Sequence, residues 1–135
     1  MDQYPNMRYL TRLLTTIFFL LSLFGCNDKV HYDDLVERGG LYYKKMSVDV
    51  FTGTVIGKYR GKVIHGIREG TWTQWWENGQ LYWRLNYKNG KTDGLYESYF
   101  KNGQLSSRGN FKNGSMVGKW KFYNDGGTLN RVEEY

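Results

Sequence analysis

Residues 70–94 read GTWTQWWENGQLYWRLNYKNGKTDG, and their pattern returns twice before the end of the 135-residue chain. The period is 24 residues at every aligned position. The aligned sets are Gly70, Gly94 and Gly118; Trp72, Tyr96 and Trp120; Trp75, Tyr99 and Tyr123; Gly79, Gly103 and Gly127; Leu81, Leu105 and Leu129; and Tyr87, Phe111 and Tyr135. A fixed period of this length predicts copies of one supersecondary unit stacked on one another.

Each copy contains two strand-like runs bounded by turn dipeptides. In the first copy, residues 70–76 and 81–87 are rich in aromatic and β-branched side chains, which favour strands. Asn78-Gly79 separates the two runs, and Asn89-Gly90 ends the second. Asn-Gly suits a type I′ turn, because both of its central residues need a positive φ. The equivalent dipeptides in the later copies are Asn102-Gly103, Asn113-Gly114 and Gly126-Gly127. The repeats are therefore predicted to form an all-β antiparallel meander of stacked hairpins.

These motifs resemble the MORN-repeat-variant family. The resemblance rests on Gly70, Trp72, Trp75-Trp76, Asn78-Gly79-Gln80-Leu81, Tyr87-Lys88-Asn89-Gly90-Lys91 and Asp93-Gly94, and on the same pattern one period later. The third copy departs from it at Asp125-Gly126-Gly127-Thr128. The resemblance implies stacked MORN-like β-hairpins and a non-enzymatic interaction role. It also implies an antitoxin-like relationship, since such proteins are often labelled as partners of bacterial toxins.

The first 25 residues have the features of a secretory signal peptide, which is predicted to be helical. Arg8 and Arg12 precede an apolar run over residues 13–24, and that run is shorter than the roughly 20 residues needed to cross a bilayer. Translation can begin at Met1 or Met7, and the basic segment that follows Met7 is the more typical start.

The end of this run resembles a bacterial lipobox, with Leu23-Phe24-Gly25 before Cys26. The resemblance implies cleavage before Cys26 and attachment of a diacylglyceryl group and a further acyl chain, such as palmitate. The alternative is a buried thiol beside an uncleaved apolar stretch. Asn27 is not the aspartate that retains enteric lipoproteins in the inner membrane. The resemblance therefore favours the outer membrane of the cell envelope, although Asp28 leaves the inner membrane open.

Four segments are predicted. Residues 1–25 form the lipoprotein signal peptide, 26–32 a polar tether, 33–68 a divergent N-terminal β unit and 69–135 three 24-residue MORN-like repeats. Residues 60–68 are the least regular part, and a longer loop is expected there.

Composition limits the possible partners. The formal net charge of +6 is spread along the chain rather than clustered, which does not favour nucleic acid. Cys26 is the only cysteine, so the mature chain has no disulfide.

Candidate catalytic and metal-binding residues are few, and neither a cofactor nor a metal is expected. His31 and His65 lack the spaced partners of a metal site. Residues 53–59 are one residue short of a phosphate-binding loop and carry Tyr59 in place of its Ser or Thr. Glu69 and Asp93 precede equivalent glycines, which indicates turn formation rather than acid–base catalysis.

The remaining candidates are binding residues on the repeat strands, namely Trp75, Trp83, Arg84, Tyr99 and Arg108. Aromatic and arginine side chains are enriched where proteins bind proteins. Trp75, Trp76 and Trp83 can instead serve only to pack the repeats, and an exposed aromatic row can also bind glycan or peptidoglycan. Three hypotheses follow: a lipid-anchored module that binds a protein, an immunity or antitoxin partner, and an envelope hydrolase. No pair of acid and base residues supports the third.

Overall fold

The computed structural model describes residues 28–135, which are almost entirely β-structure. One 3₁₀ segment, Tyr32–Asp34, follows the first strand. The strands are β1 Lys29–His31, β2 Leu35–Arg38, β3 Leu41–Lys44, β4 Gly53–Ile56, β5 Tyr59–Ile64, β6 Ile67–Trp75, β7 Leu81–Lys88, β8 Lys91–Tyr99, β9 Leu105–Lys112, β10 Ser115–Tyr123 and β11 Leu129–Glu134. The prediction of an all-β chain of antiparallel hairpins is confirmed for these residues.

The predicted signal peptide and Cys26 lie outside the described residues. Lys29–His31, which the sequence places in the tether, form β1. Within residues 28–135, no helix has the length and apolar character to cross a membrane.

Nine strands form one sheet in the order β1-β4-β5-β6-β7-β8-β9-β10-β11. From β4 to β11 each strand pairs antiparallel with the next along the chain, whereas β1 lies parallel to β4. Strands β2 and β3 form a separate hairpin. The sheet therefore continues without a break from β4 and β5 into the repeats.

The Asn-Gly dipeptides occupy two different kinds of turn. Asn89 and Asn113 have positive φ, as do the glycines that follow them, so these turns are type I′ as predicted. At Asn78-Gly79 only the glycine has positive φ. The Gly79 amide donates to the Trp76 carbonyl (3.0 Å) and the Trp76 amide donates to the Gln80 carbonyl (2.8 Å). This is a three-residue loop that ends in a glycine bulge, because Glu77 adds a residue.

The prediction of a longer loop over residues 60–68 is wrong. β5 continues to Ile64 and β6 begins at Ile67, so only His65 and Gly66 turn the chain. Both have positive φ, 48° and 78°, which makes this another type I′ turn. His65-Gly66 lies one 24-residue period before Asn89-Gly90. The repeat is hard to recognise there because His65 replaces the asparagine of the later turns. The irregular connection is instead residues 45–52, between β3 and β4.

One face of the sheet, here called the packed face, carries the hydrophobic core. Its centre is formed by Tyr42, Phe51, Val55, Val63 and Trp72, all buried. Tyr42 comes from the β2–β3 hairpin, whose backbone is tied to the sheet by a hydrogen bond from the Tyr42 amide to the Gly66 carbonyl (2.8 Å). The hairpin thus covers the packed face at the β4–β7 end.

Tryptophans at equivalent repeat positions lie directly over glycines of the preceding strand. A Cβ atom at Gly61 would overlap the Trp72 ring, and one at Gly109 would overlap the Trp120 ring. Each indole N–H donates to a backbone carbonyl, Trp72 to Lys62 (3.0 Å) and Trp120 to Asn110 (3.2 Å). In the middle copy the smaller Tyr96 pairs with Leu85 instead. Ring size and the facing residue are therefore matched within each copy.

Candidate functional site

The opposite face, here called the open face, carries a continuous cross-strand row of side chains. Each member is the register partner of the next, and together they cross β5 to β10: Arg60, Thr73, Arg84, Glu97, Arg108 and Lys121. We call this set the basic row. Its arginines fall at the same repeat position, 24 residues apart. Because side chains alternate between faces, one arginine position per repeat produces one aligned line of arginines.

Glu97 lies at the centre of the basic row and is nearly buried, with 5% of its surface exposed. Its carboxylate accepts hydrogen bonds from Arg84 Nε (2.5 Å) and from the Tyr99 hydroxyl (2.9 Å), and Arg108 Nε lies 3.5 Å away. Burial acts to raise the pKa of Glu97, but the bonds from Arg84 and Tyr99 outweigh it and hold the pKa below its ordinary value. The carboxylate therefore stays ionised and holds two arginines in place.

The two arginines flanking Glu97 remain accessible. About half of each side chain is exposed, 49% for Arg84 and 55% for Arg108. Both approach Glu97 through Nε, and among the described residues their terminal amino groups form no hydrogen bond. Since guanidinium carries five donors, most of this hydrogen-bonding capacity is left for another molecule.

A second line of side chains, here called the aromatic row, runs beside the basic row. It comprises Trp75, Tyr99 and Tyr123, each two residues further along its strand than Thr73, Glu97 and Lys121. The Arg60 guanidinium lies 5.0 Å from the centre of the Trp75 ring, within cation–π range. The Trp75 indole N–H donates to Thr73 Oγ1 (3.2 Å), so this tryptophan presents its ring rather than its N–H group.

The structure brings four of the five predicted binding residues together and separates the fifth. Trp75, Arg84, Tyr99 and Arg108 lie on the open face, whereas Trp83 lies on the packed face. Its indole N–H donates to Gln74 Oε1 (2.6 Å), and its ring centre is 6.3 Å from that of Tyr59. Strict alternation along β7 accounts for this, because Trp83 and the adjacent Arg84 must point to opposite faces.

Four members of the basic row are not among the binding residues predicted from the sequence: the cations Arg60 and Lys121, together with Thr73 and Glu97. The available signal was the 24-residue offset, which relates Arg60 to Arg84 and Lys121 to Glu97. Arg60 lies in residues 60–68, for which the sequence predicts a loop rather than a strand.

Two adjoining clefts lie beside Trp75, where β6 ends. Their volumes are about 290 and 510 Å³, and both are lined by Lys58, Trp75, Trp76 and Glu77. Arg60 borders the larger cleft, which therefore connects with the basic row.

The other residues that the sequence singles out, Glu69, Asp93 and residues 53–59, lie in the strands and turns of the sheet. Glu69 and Asp93 lie inside β6 and β8, so the prediction that they form turns at their own positions is wrong. Each instead accepts the backbone amide of a later Asn-Gly turn, Glu69 from Asn89 (2.8 Å) and Asp93 from Asn113 (3.4 Å). Residues 53–59 form strand β4, a bend and the first residue of β5, rather than a phosphate-binding loop that leads into a helix. Within residues 28–135, no three His, Cys, Asp or Glu side chains are grouped so that they could hold a metal ion.

Comparison with known proteins supports the repeat assignment. Residues 68–91 and 92–113 match the family model for the MORN repeat variant, in two consecutive units. MORN repeats are generally modules that interact with proteins or membranes. Neither a curated protein nor a solved structure matches the chain at a significant level.

Proposed function

We propose that this protein is a non-enzymatic interaction module that binds a protein partner through its open face while a lipid on Cys26 anchors it to the bacterial cell envelope. The observation that carries the binding role is the parallel arrangement of the basic row and the aromatic row on one accessible face. The lipid anchor rests on the lipobox-like residues before Cys26.

The chemistry of the open face suits recognition of an acidic protein surface. The basic row contains four cations and one buried carboxylate, so its net charge is positive. Arg84 and Arg108 are already positioned by Glu97, which reduces the conformational entropy lost when they bind. Rigid aromatic side chains such as Trp75 and Tyr99 add contact area at a low entropy cost.

An immunity or antitoxin role would be one form of this binding, in which the open face covers a toxin. A toxin gene next to this one and a stoichiometric complex with its product would support that form.

A glycan is the second candidate ligand, and the clefts beside Trp75 and Trp76 favour it. Their volumes, about 290 and 510 Å³, suit a small molecule such as one or two sugar rings. A sugar ring can lie on an indole face while Lys58 or Arg60 contacts an acidic substituent.

Site-specific photocrosslinking in cells tests the proposed binding face. Benzoylphenylalanine is placed in the full-length protein at Tyr99 or Tyr123 on the open face, and at Phe122 as the control. Phe122 is adjacent to Tyr123 but lies on the packed face, where its ring is 4.1 Å from the Arg131 guanidinium. A discrete protein adduct from positions 99 and 123, but not from 122, is the expected result. Adducts of equal yield from all three positions, or none, would contradict the proposal.

A further inference from the structure

The arginines of the basic row recur with a regular spacing across the sheet. Arg60, Arg84 and Arg108 lie on β5, β7 and β9, which are alternate strands. Neighbouring strands are about 4.7 to 4.9 Å apart, so the Cα atoms of successive arginines lie about 9.5 Å apart. The aromatic row has the same spacing, since its residues lie on β6, β8 and β10.

This spacing matches one peptide conformation better than the others. A polyproline II helix has three residues per turn and advances about 9.3 Å per turn, so every third side chain points the same way. A β-strand returns to the same face every second residue, at about 6.7 Å. An α-helix returns after seven residues, at about 10.5 Å, and falls out of step by about 1 Å per arginine.

We propose that the open face binds an acidic peptide segment in the polyproline II conformation, with Asp or Glu at every third position. This inference rests on the proposed function and specifies the class of partner. The acidic side chains pair with Arg60, Arg84 and Arg108, which follow one another at the 24-residue period.

The charges at the arginines are suited to this pairing. Arg84 and Arg108 contact Glu97 through Nε, and their terminal amino groups form no hydrogen bond within residues 28–135. Two terminal amino groups of one guanidinium can donate to one carboxylate. Arg60 donates through Nε to the Gly57 carbonyl (3.1 Å), which orients it in a similar way.

The aromatic row supplies the second requirement for such a ligand. Polyproline II segments dock on grooves lined by aromatic rings, into which their proline or aliphatic side chains pack. Trp75 and Tyr99 use their polar atoms within the protein, on Thr73 and on Glu97, and so present ring surface to a ligand. Acidic residues that face the basic row leave the intervening residues of the peptide to contact the aromatic row.

Fluorescence anisotropy with designed peptides tests this pairing. The probe is a labelled peptide of three Glu-Pro-Pro triplets, titrated with the full-length protein in detergent. One control peptide has the same composition but contiguous glutamates, and another has lysine in place of glutamate. The triplet peptide is expected to bind about tenfold more tightly than the contiguous control and to weaken as salt is added. The lysine peptide is expected not to bind.

Variants of the protein locate the bound peptide. Arg60→Gln and Arg108→Gln are each expected to weaken binding about threefold to fivefold, as for exposed ion pairs. Lys45→Gln removes an exposed cation in the turn after β3, outside the basic row, and is expected to leave affinity unchanged. Thermal unfolding of each variant shows that the protein tested is folded.

Two results would overturn the inference. One is equal binding of the triplet and contiguous peptides, which would show attraction between charges without recognition of spacing. The other is displacement of the triplet peptide by an oligogalacturonate at lower concentration, which would assign the open face to an acidic glycan. If either result occurs while photocrosslinking at Tyr99 still yields a protein adduct, this inference fails and the proposed function stands.

Discussion

At the scale of single residues, the contact between Trp120 and Gly109 shows how closely the repeats pack. The ring occupies the space that a side chain at Gly109 would take. Gly109→Ala is therefore expected to lower the free energy of unfolding by about 1 to 3 kcal/mol through overpacking. Asn110→Ala changes an exposed side chain on the same strand and is expected to have an effect of less than about 0.5 kcal/mol. Urea denaturation measures both, and equal effects of the two substitutions would contradict the packing.

Glu97 leads to a prediction about pH. Its pKa in the folded protein lies below the ordinary value of 4.5, because the hydrogen bonds from Arg84 and Tyr99 outweigh the effect of burial. A group of this kind contributes stability that is fully present above its unfolded pKa and is lost as the pH falls through its folded pKa. The thermal midpoint of the wild type is therefore expected to fall more steeply below pH 4.5 than that of Glu97→Gln. Parallel curves for the two proteins would show that Glu97 contributes nothing to the pH dependence.

At the scale of elements, the two kinds of Asn-Gly turn should respond differently to the same substitution. Asn113 has a φ of 49°, a conformation that glycine adopts freely, so Asn113→Gly is expected to change stability by less than about 0.5 kcal/mol. Asn102 instead holds its turn with its side chain. Its Nδ2 donates to the Asp125 carbonyl (2.8 Å), and its Oδ1 accepts the Gln104 amide (3.0 Å). Asn102→Gly is expected to cost about 1 to 2 kcal/mol.

Chemical denaturation of the two glycine variants checks this difference. A loss at Asn113 as large as that at Asn102 would mean that the two turns do not differ in the way described. The bond from Asn102 to Asp125 also joins one turn to the next, as does the bond from Asn78 Nδ2 to the Lys101 carbonyl (2.8 Å). These asparagines therefore connect successive copies as well as closing their own turns.

At the scale of the whole molecule, the predicted lipid on Cys26 would decide where the protein is found. Each buried methylene contributes about 0.8 kcal/mol, so two or three acyl chains hold a protein on a membrane far more firmly than one. Cys26→Ser is expected to remain unprocessed and to lose its acyl chains. Intact mass measures both the cleavage and the acyl chains, and cell fractionation measures attachment to the membrane. Cleavage before residue 26 together with sedimentation in the membrane fraction would rule the lipid anchor out.

Much of the architecture could be predicted from the sequence because the determining interactions are local. Turn residues such as Asn89-Gly90 direct the chain through two adjacent residues, and strand alternation depends only on position along the strand. The 24-residue period then implies that each copy meets the next in the same way. These features by themselves determined an antiparallel meander, and they placed Arg84 and Arg108 at equivalent positions.

Tertiary structure alone decided which face is covered and which is open. Both faces carry aromatic side chains, so hydrophobic pattern does not distinguish Trp72 from Trp75. At the β4–β7 end the distinction comes from the β2–β3 hairpin, which has no counterpart in the repeats and places Tyr42 in one buried cluster with Val63 and Trp72. That contact joins residues far apart in the chain, and no local rule predicts it. At the other end Trp120 is buried without the hairpin, because its ring packs over Gly109 and against Phe111. The basic row lies on the opposite face, which the hairpin does not cover.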